Sequence, residues 1–160
     1  MSGIWFDWLI SYRDHALLSK RFMTTHILVC NDDLPIGEKI ALVLERGDCH
    51  VHATADASEA LRMIQDQPGL YDLLLTDDKT MPINALDLVR ELRAERFLGK
   101  IIVLASRKDT SNLIGYIGLE VDQVVFKPFD FIELRNTVSV LLSPQPAVEK
   151  SFIEAICCEY

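Results

Sequence analysis

Residues 72–82 read DLLLTDDKTMP: leucines and a threonine, then two adjacent aspartates, a lysine, a threonine and Met-Pro. The apolar part has the length and continuity of a strand buried on both faces, as in the interior of a parallel sheet. A carboxylate pair at the end of such a strand needs a counter-charge or a ligand. Successive side chains of an extended chain point to opposite sides, so Asp77 and Asp78 cannot both face one partner.

Four similar runs flank this one: HILVC (26–30), CHVHATA (49–55), KIIVLA (100–105) and QVVF (123–126). The second alternates more than the others and fits a sheet edge. Helical patterns lie between them. Pro35 opens one, with Ile36, Ile40, Val43 and Leu44 on one face and Gly47 past its end. A second, Ala57 to Gln67, carries Ala60, Leu61 and Ile64 and stops before Pro68-Gly69. Leu86, Val89 and Leu92 stripe a third; Leu113, Tyr116 and Ile117 mark a fourth; Ile132, Leu134, Val138, Leu141 and Leu142 mark a fifth. Five strand–helix alternations predict a doubly wound α/β domain over residues 24–143.

The composition agrees. A chain of 160 residues, 49% apolar and 25% charged, suits one soluble globular domain. Its net charge of -8 repels phosphate backbones and anionic lipid, which argues against nucleic-acid binding. The apolar start, MSGIWFDWLI, carries Asp7 and is too short to span a bilayer, so neither membrane insertion nor a leader is expected and the location is taken as cytoplasmic. Cys30, Cys49, Cys157 and Cys158 show no metal-ligand spacing; Cys30 reads as a core residue, the adjacent tail pair as reduced thiols.

Ligands of such sheets bind beyond the carboxyl ends of the strands. Standing there are Asn31-Asp32-Asp33, Asp77-Asp78, Ala105-Ser106 and Lys127-Pro128. Any one aspartate could simply end a strand and solvate a loop. Two acidic clusters with a hydroxyl and a lysine at one sheet end form a different pattern. Clustered carboxylates suit a hard cation such as Mg²⁺, completed by water and phosphate oxygens. A lysine beside them can clamp a phosphoryl group, and an aspartate there can become an acyl phosphate.

The pieces ILVCNDDLP, DLLLTDDKTMP, IIVLAS and VVFKPFD, in this order, resemble the receiver domain of two-component response regulators over residues 26–143. The resemblance implies a flavodoxin-like (βα)5 fold with strand order 2-1-3-4-5, Mg²⁺, and an aspartate phosphorylated by a sensor histidine kinase or phosphotransfer protein. It implies signalling rather than enzymatic turnover of a substrate, with output to a downstream protein on the face of helix 4, strand 5 and helix 5, or to a second copy in a homodimer. Lys127 matches the family lysine, whose bond to Pro128 would be cis. Asp32 and Asn31 match the acids after the first strand, which makes Asp32, Asp77 and Asn31 the candidate metal residues. Ser106 is the hydroxyl nearest the family's Ser/Thr position.

Two registers compete for the acceptor. Met81-Pro82 favours Asp78, since the family places Met-Pro three and four residues past its acceptor. Asp72 five residues before Asp77, and the unbroken spacing to Leu86, Leu88, Val89 and Leu92, favour Asp77. Asp77 is the expected acceptor and Asp78 the alternative, with Asp78 then in a solvated loop. Other positions depart from the family: Ala105 stands at the Ser/Thr site, Val124 at the switch aromatic with Phe126 a pleat away, and Glu120 and Ala85 where glycines are common. The departures support a second possibility, a degenerate receiver that binds proteins without phosphorylation. A haloacid-dehalogenase phosphatase would need carboxylates two apart, and these are adjacent.

Residues 1–23 are expected as an N-terminal extension, with Trp5, Trp8, Leu9 and Tyr12 on one helical face. Residues 144–160 are expected as a tail with Val148, Phe152 and Ile156 in a stripe. Neither has room for an effector domain, so a stand-alone receiver signalling by contact is the expectation.

Overall fold

The apolar runs become strands because branched side chains fill both faces of a pleated sheet. The computed structural model describes residues 24–107 and 111–144. Its elements are β1 (Thr25–Cys30), α1 (Leu34–Leu44), β2 (Cys49–Thr54), α2 (Ala57–Asp66), β3 (Leu73–Asp77), α3 (Ala85–Ala94), β4 (Lys100–Ser106), α4 (Leu113–Gly118), β5 (Gln123–Lys127) and α5 (Phe131–Leu142). All pairings are parallel, and the order is β2-β1-β3-β4-β5. This is the doubly wound, flavodoxin-like sheet. The two aromatic and aliphatic stripes expected in residues 1–23 and 144–160, and Cys157 and Cys158, lie outside the described residues.

The sheet separates two apolar layers. On one face Ile27, Val29, Leu73, Leu75, Ile102 and Leu104 meet Ile40 and Leu44 of α1 and Leu134 and Val138 of α5. On the other, Leu28, Cys30 and Leu74 meet α2 and the Leu88–Leu92 side of α3, while Ile101 and Val103 meet Val89 and Tyr116. Fully burying a leucine or isoleucine contributes about 1.5–3 kcal/mol, so these layers are what fix the order of the sheet. Burial also pushes the Cys30 thiol up to about 12, which makes it an inert core residue.

Four helices begin on a side-chain cap: Asp33, Asp56, Asn84 and Asp130 accept backbone N–H groups of the first turn. Asp33 therefore serves α1, accepting from the Ile36 N–H at 3.2 Å. Three helical faces differ from the apolar stripes. Ile36 is 38% exposed, Ile117 78% and Ile132 59%. In α1 the buried line is Gly37, Ile40 and Leu44, which leaves Ile36 on the shoulder. In α4 the buried residue is Tyr116, and in α5 Leu134 and Val138 carry the contact. Hydrophobicity marked these helices correctly, but it did not rank which apolar residue of each turn points inward.

Candidate functional site

The site forms at the carboxyl end of the sheet, where register sets who can meet. Cys30 pairs with Thr76, Asp77 with Leu104, and Ser106 with Lys127. Pleat parity sends Asp77, Leu104, Ser106 and Lys127 to one face, and Ala105 and Phe126 to the other.

Asp77 is 1% exposed. Its Oδ2 accepts from Lys127 Nζ, a contact between a half-exposed ammonium and a buried carboxylate. Asn31, also buried, donates its Nδ2 to the same oxygen at 3.4 Å. The other oxygen, Oδ1, accepts from the Lys79 N–H at 3.0 Å. Three donors thus fix one carboxylate. An ion pair with one member removed from water is held more firmly than a surface pair, because little solvent screens it.

Asn31 has a fixed orientation, since its Oδ1 accepts from the Asp33 N–H at 2.9 Å and its amide nitrogen must then face Asp77. Asp32 is exposed at the mouth of the site, its Oδ1 accepting from the Asp33 N–H at 3.0 Å. Asp77 and Asp32 offer hard carboxylate oxygens, while the Asn31 amide oxygen is taken by the Asp33 N–H. This donor set suits a small hard cation that keeps several of its waters, as Mg²⁺ does. Among the described residues no group of three or more His, Cys, Asp and Glu side chains is placed to hold a metal ion. Ser106 lies at the end of β4, half buried, across from Lys127.

Asp78 corrects an expectation. It is not in a solvated loop but 5% exposed, turned to the opposite face from Asp77. Tyr116 Oη donates to its Oδ1, and Asn112 Nδ2 donates to the same atom at 3.4 Å. Burial first, and then the bond to Asp78, raise the Tyr116 hydroxyl above the usual phenol range, so it stays protonated and remains a donor. Nothing in the local sequence announces this partnership. Tyr116 lies 38 residues on, within a short apolar helix whose periodicity gives no hint of a polar role.

The loop beyond Asp78 is tied down. Thr80 is buried, with its Oγ1 donating to Ile83 O at 3.0 Å, and the Ala57 N–H donates to Met81 O at 3.0 Å. The Met81–Pro82 and Lys127–Pro128 bonds are both cis. Glu120 has φ 54, the left-handed region that favours glycine, and Arg93 Nη2 donates to its carbonyl at 2.9 Å.

Comparison with known proteins gives one family. The family model for the response regulator receiver domain matches residues 27–139. Among curated proteins, response regulator ArlR of Staphylococcus saprophyticus is 28% identical over 130 residues, covering 81% of this chain and 57% of that protein. ArlR of Staphylococcus aureus is 26% identical over 122 residues, covering 76% and 54%. The chain thus spans little more than half the length of these relatives. Among solved structures, a response regulator receiver protein from Pseudomonas putida is 28% identical with a TM-score of 0.65, covering 72% of this chain and 96% of that one. A receiver domain protein from Clostridium thermocellum superimposes with a TM-score of 0.67 at 23% identity, covering 73% and 93%. No helix among the described residues is long and apolar enough to cross a membrane.

Proposed function

Because this chain belongs to the response regulator receiver domain family, a family of signalling domains, we propose that it accepts a phosphoryl group on Asp77 and signals by protein contact. The working unit is residues 24–143, flanked by segments 1–23 and 144–160. One observation carries the choice of acceptor: of two adjacent buried carboxylates, Asp77 is the one that Lys127 and Asn31 approach. An Asp77 oxygen forms the O–P bond while the P–N bond of a phosphohistidine donor breaks, leaving neutral imidazole after protonation. Lys127 offsets the charge on the phosphoryl oxygens, and Ser106 is the hydroxyl on the same sheet face.

Receiver domains in general take Mg²⁺ at their acidic pocket. Here Asp32 and Asp77 would hold it, with the Asn31 amide beside them, and it would neutralise and orient the phosphoryl oxygens. The donor is a histidine kinase or phosphotransfer protein. Output goes to a protein, or to a second copy of the chain, on the face of α4, β5 and α5, where Ile114, Ile117, Ile132 and Val140 are exposed.

A second reading, a module that binds without phosphorylation, is favoured by Ala105, Val124 and the Asn31 donor bond. Intact-mass measurement after incubation with acetyl phosphate and Mg²⁺ separates the two. The first reading expects a phosphoryl adduct that does not form when Mg²⁺ is chelated beforehand; an unmodified mass favours the second.

A further inference from the structure

Resting on Asp77 as the acceptor, we propose that Tyr116 is a positioning residue for it, acting through Asp78. The chain leaves β3 through two bonds donated by backbone N–H groups, one to a carbonyl and one to a side chain. The Asp78 N–H donates to Leu104 O at 2.9 Å, and the Lys79 N–H turns back onto Asp77 Oδ1 at 3.0 Å. The second bond sets the plane of the acceptor carboxylate, and it exists only while the chain turns at Asp78.

The side chain of Asp78 holds that turn. It enters the layer under α3 and α4, where Tyr116 sits among Ala85, Val89 and Val103. A carboxylate so buried is costly unless donors reach it. Tyr116 Oη and Asn112 Nδ2 are those donors. Asn112 stands at the N-cap of α4 yet makes no capping bond there; its amide is turned to Asp78 instead. The turn at 77–79 is therefore braced from α4.

Among the described residues, removing the Tyr116 hydroxyl leaves this buried carboxylate with one long hydrogen bond, from Asn112. Asp78 relieves this by swinging toward water, the backbone at 78–79 follows, and the Lys79 N–H leaves Asp77. The attacking oxygen then loses its aim, although Lys127, Asn31 and Asp32 are untouched. Misplacement of a reacting group is enough to slow a step without removing any group that takes part in it.

The test compares the 160-residue parent with Tyr116→Phe, Asp78→Ala and the double variant, in two measurements. The first is the rate of adduct formation with acetyl phosphate at saturating Mg²⁺; the second is amide hydrogen exchange at Lys79. Tyr116→Phe is expected to slow the adduct about tenfold and to speed Lys79 exchange while distant β1 amides stay protected. In the Asp78→Ala background the same change should add nothing further. An unchanged Lys79 amide in Tyr116→Phe overturns the proposal, and so does an undiminished Tyr116→Phe effect once Asp78 is gone. If Asp78→Ala does not fold, the Lys79 amide of Tyr116→Phe decides alone. A parent that takes no phosphoryl group refutes the acceptor role, while the amide measurement still decides whether Tyr116 holds the turn.

Discussion

Asp77 and Asp78 are consecutive, both buried, and held from opposite faces of the sheet, Asp77 by Lys127 and Asp78 by Tyr116. Strand pleat alone requires them to diverge. The two environments give them different capacities. Asp77 has a cation and an exposed mouth beside it. Asp78 has a neutral phenol that stays protonated and an apolar wall.

The first prediction concerns the charge that Asn31 lacks. Asn31→Asp should bind Mg²⁺ roughly tenfold more tightly, since a nearby carboxylate contributes about 1–2 kcal/mol through a partly screened medium. Without metal the same variant should melt lower than the parent, because a donor to Asp77 is replaced by a like charge. Mg²⁺ titration and thermal melting with and without the ion check both halves. Equal or weaker Mg²⁺ binding by the variant contradicts the assignment of Asn31 to the metal site.

A second prediction concerns Glu120, whose φ of 54 is relaxed only for glycine. Glu120→Gly should stabilise the domain by about 1 kcal/mol, raising Tm by roughly 2–6 °C. The Arg93 bonds go to the carbonyls of Leu119 and Glu120 and survive the change. A lower Tm would show that the glutamate side chain contributes more than the strain costs.

The third prediction is a pH dependence. Cys30 is raised from 9.0 to about 12 by burial. The unfolded chain therefore releases this proton first, and its contribution to stability is full below pH 9 and lost as pH climbs toward 12. Tyr116, also raised by burial, acts in the same direction above the ordinary phenol range. Unfolding free energies from urea titrations should fall as pH rises above 9, by up to about 1.4 kcal/mol per pH unit per group. Cys30→Ala should flatten the slope above pH 9; an identical slope would place its cause elsewhere.

Much of this was legible in the sequence, and the exceptions have a common cause. The strand runs and the alternation of elements are local, so periodicity finds them. The expected position of Lys127 near the acidic end follows from strand order. The burial of Asp78 could not be read, because its partner comes from another element and its local context, Asp-Lys-Thr, looks solvated. The exposure of Ile117 and Ile132 was hidden for a similar reason: an apolar residue on a helix shoulder fits the period as well as one on the inner line. Glu120 carried a usable signal, since a position where glycine is common often needs positive φ.

The account turns on which aspartate takes the phosphoryl group, and one measurement decides it: the intact mass of the parent, Asp77→Asn and Asp78→Asn after acetyl phosphate and Mg²⁺. The parent and Asp78→Asn should both carry the adduct, because an asparagine oxygen still accepts the Tyr116 bond, and Asp77→Asn should carry none. An adduct that persists in Asp77→Asn and vanishes in Asp78→Asn would contradict the assignment.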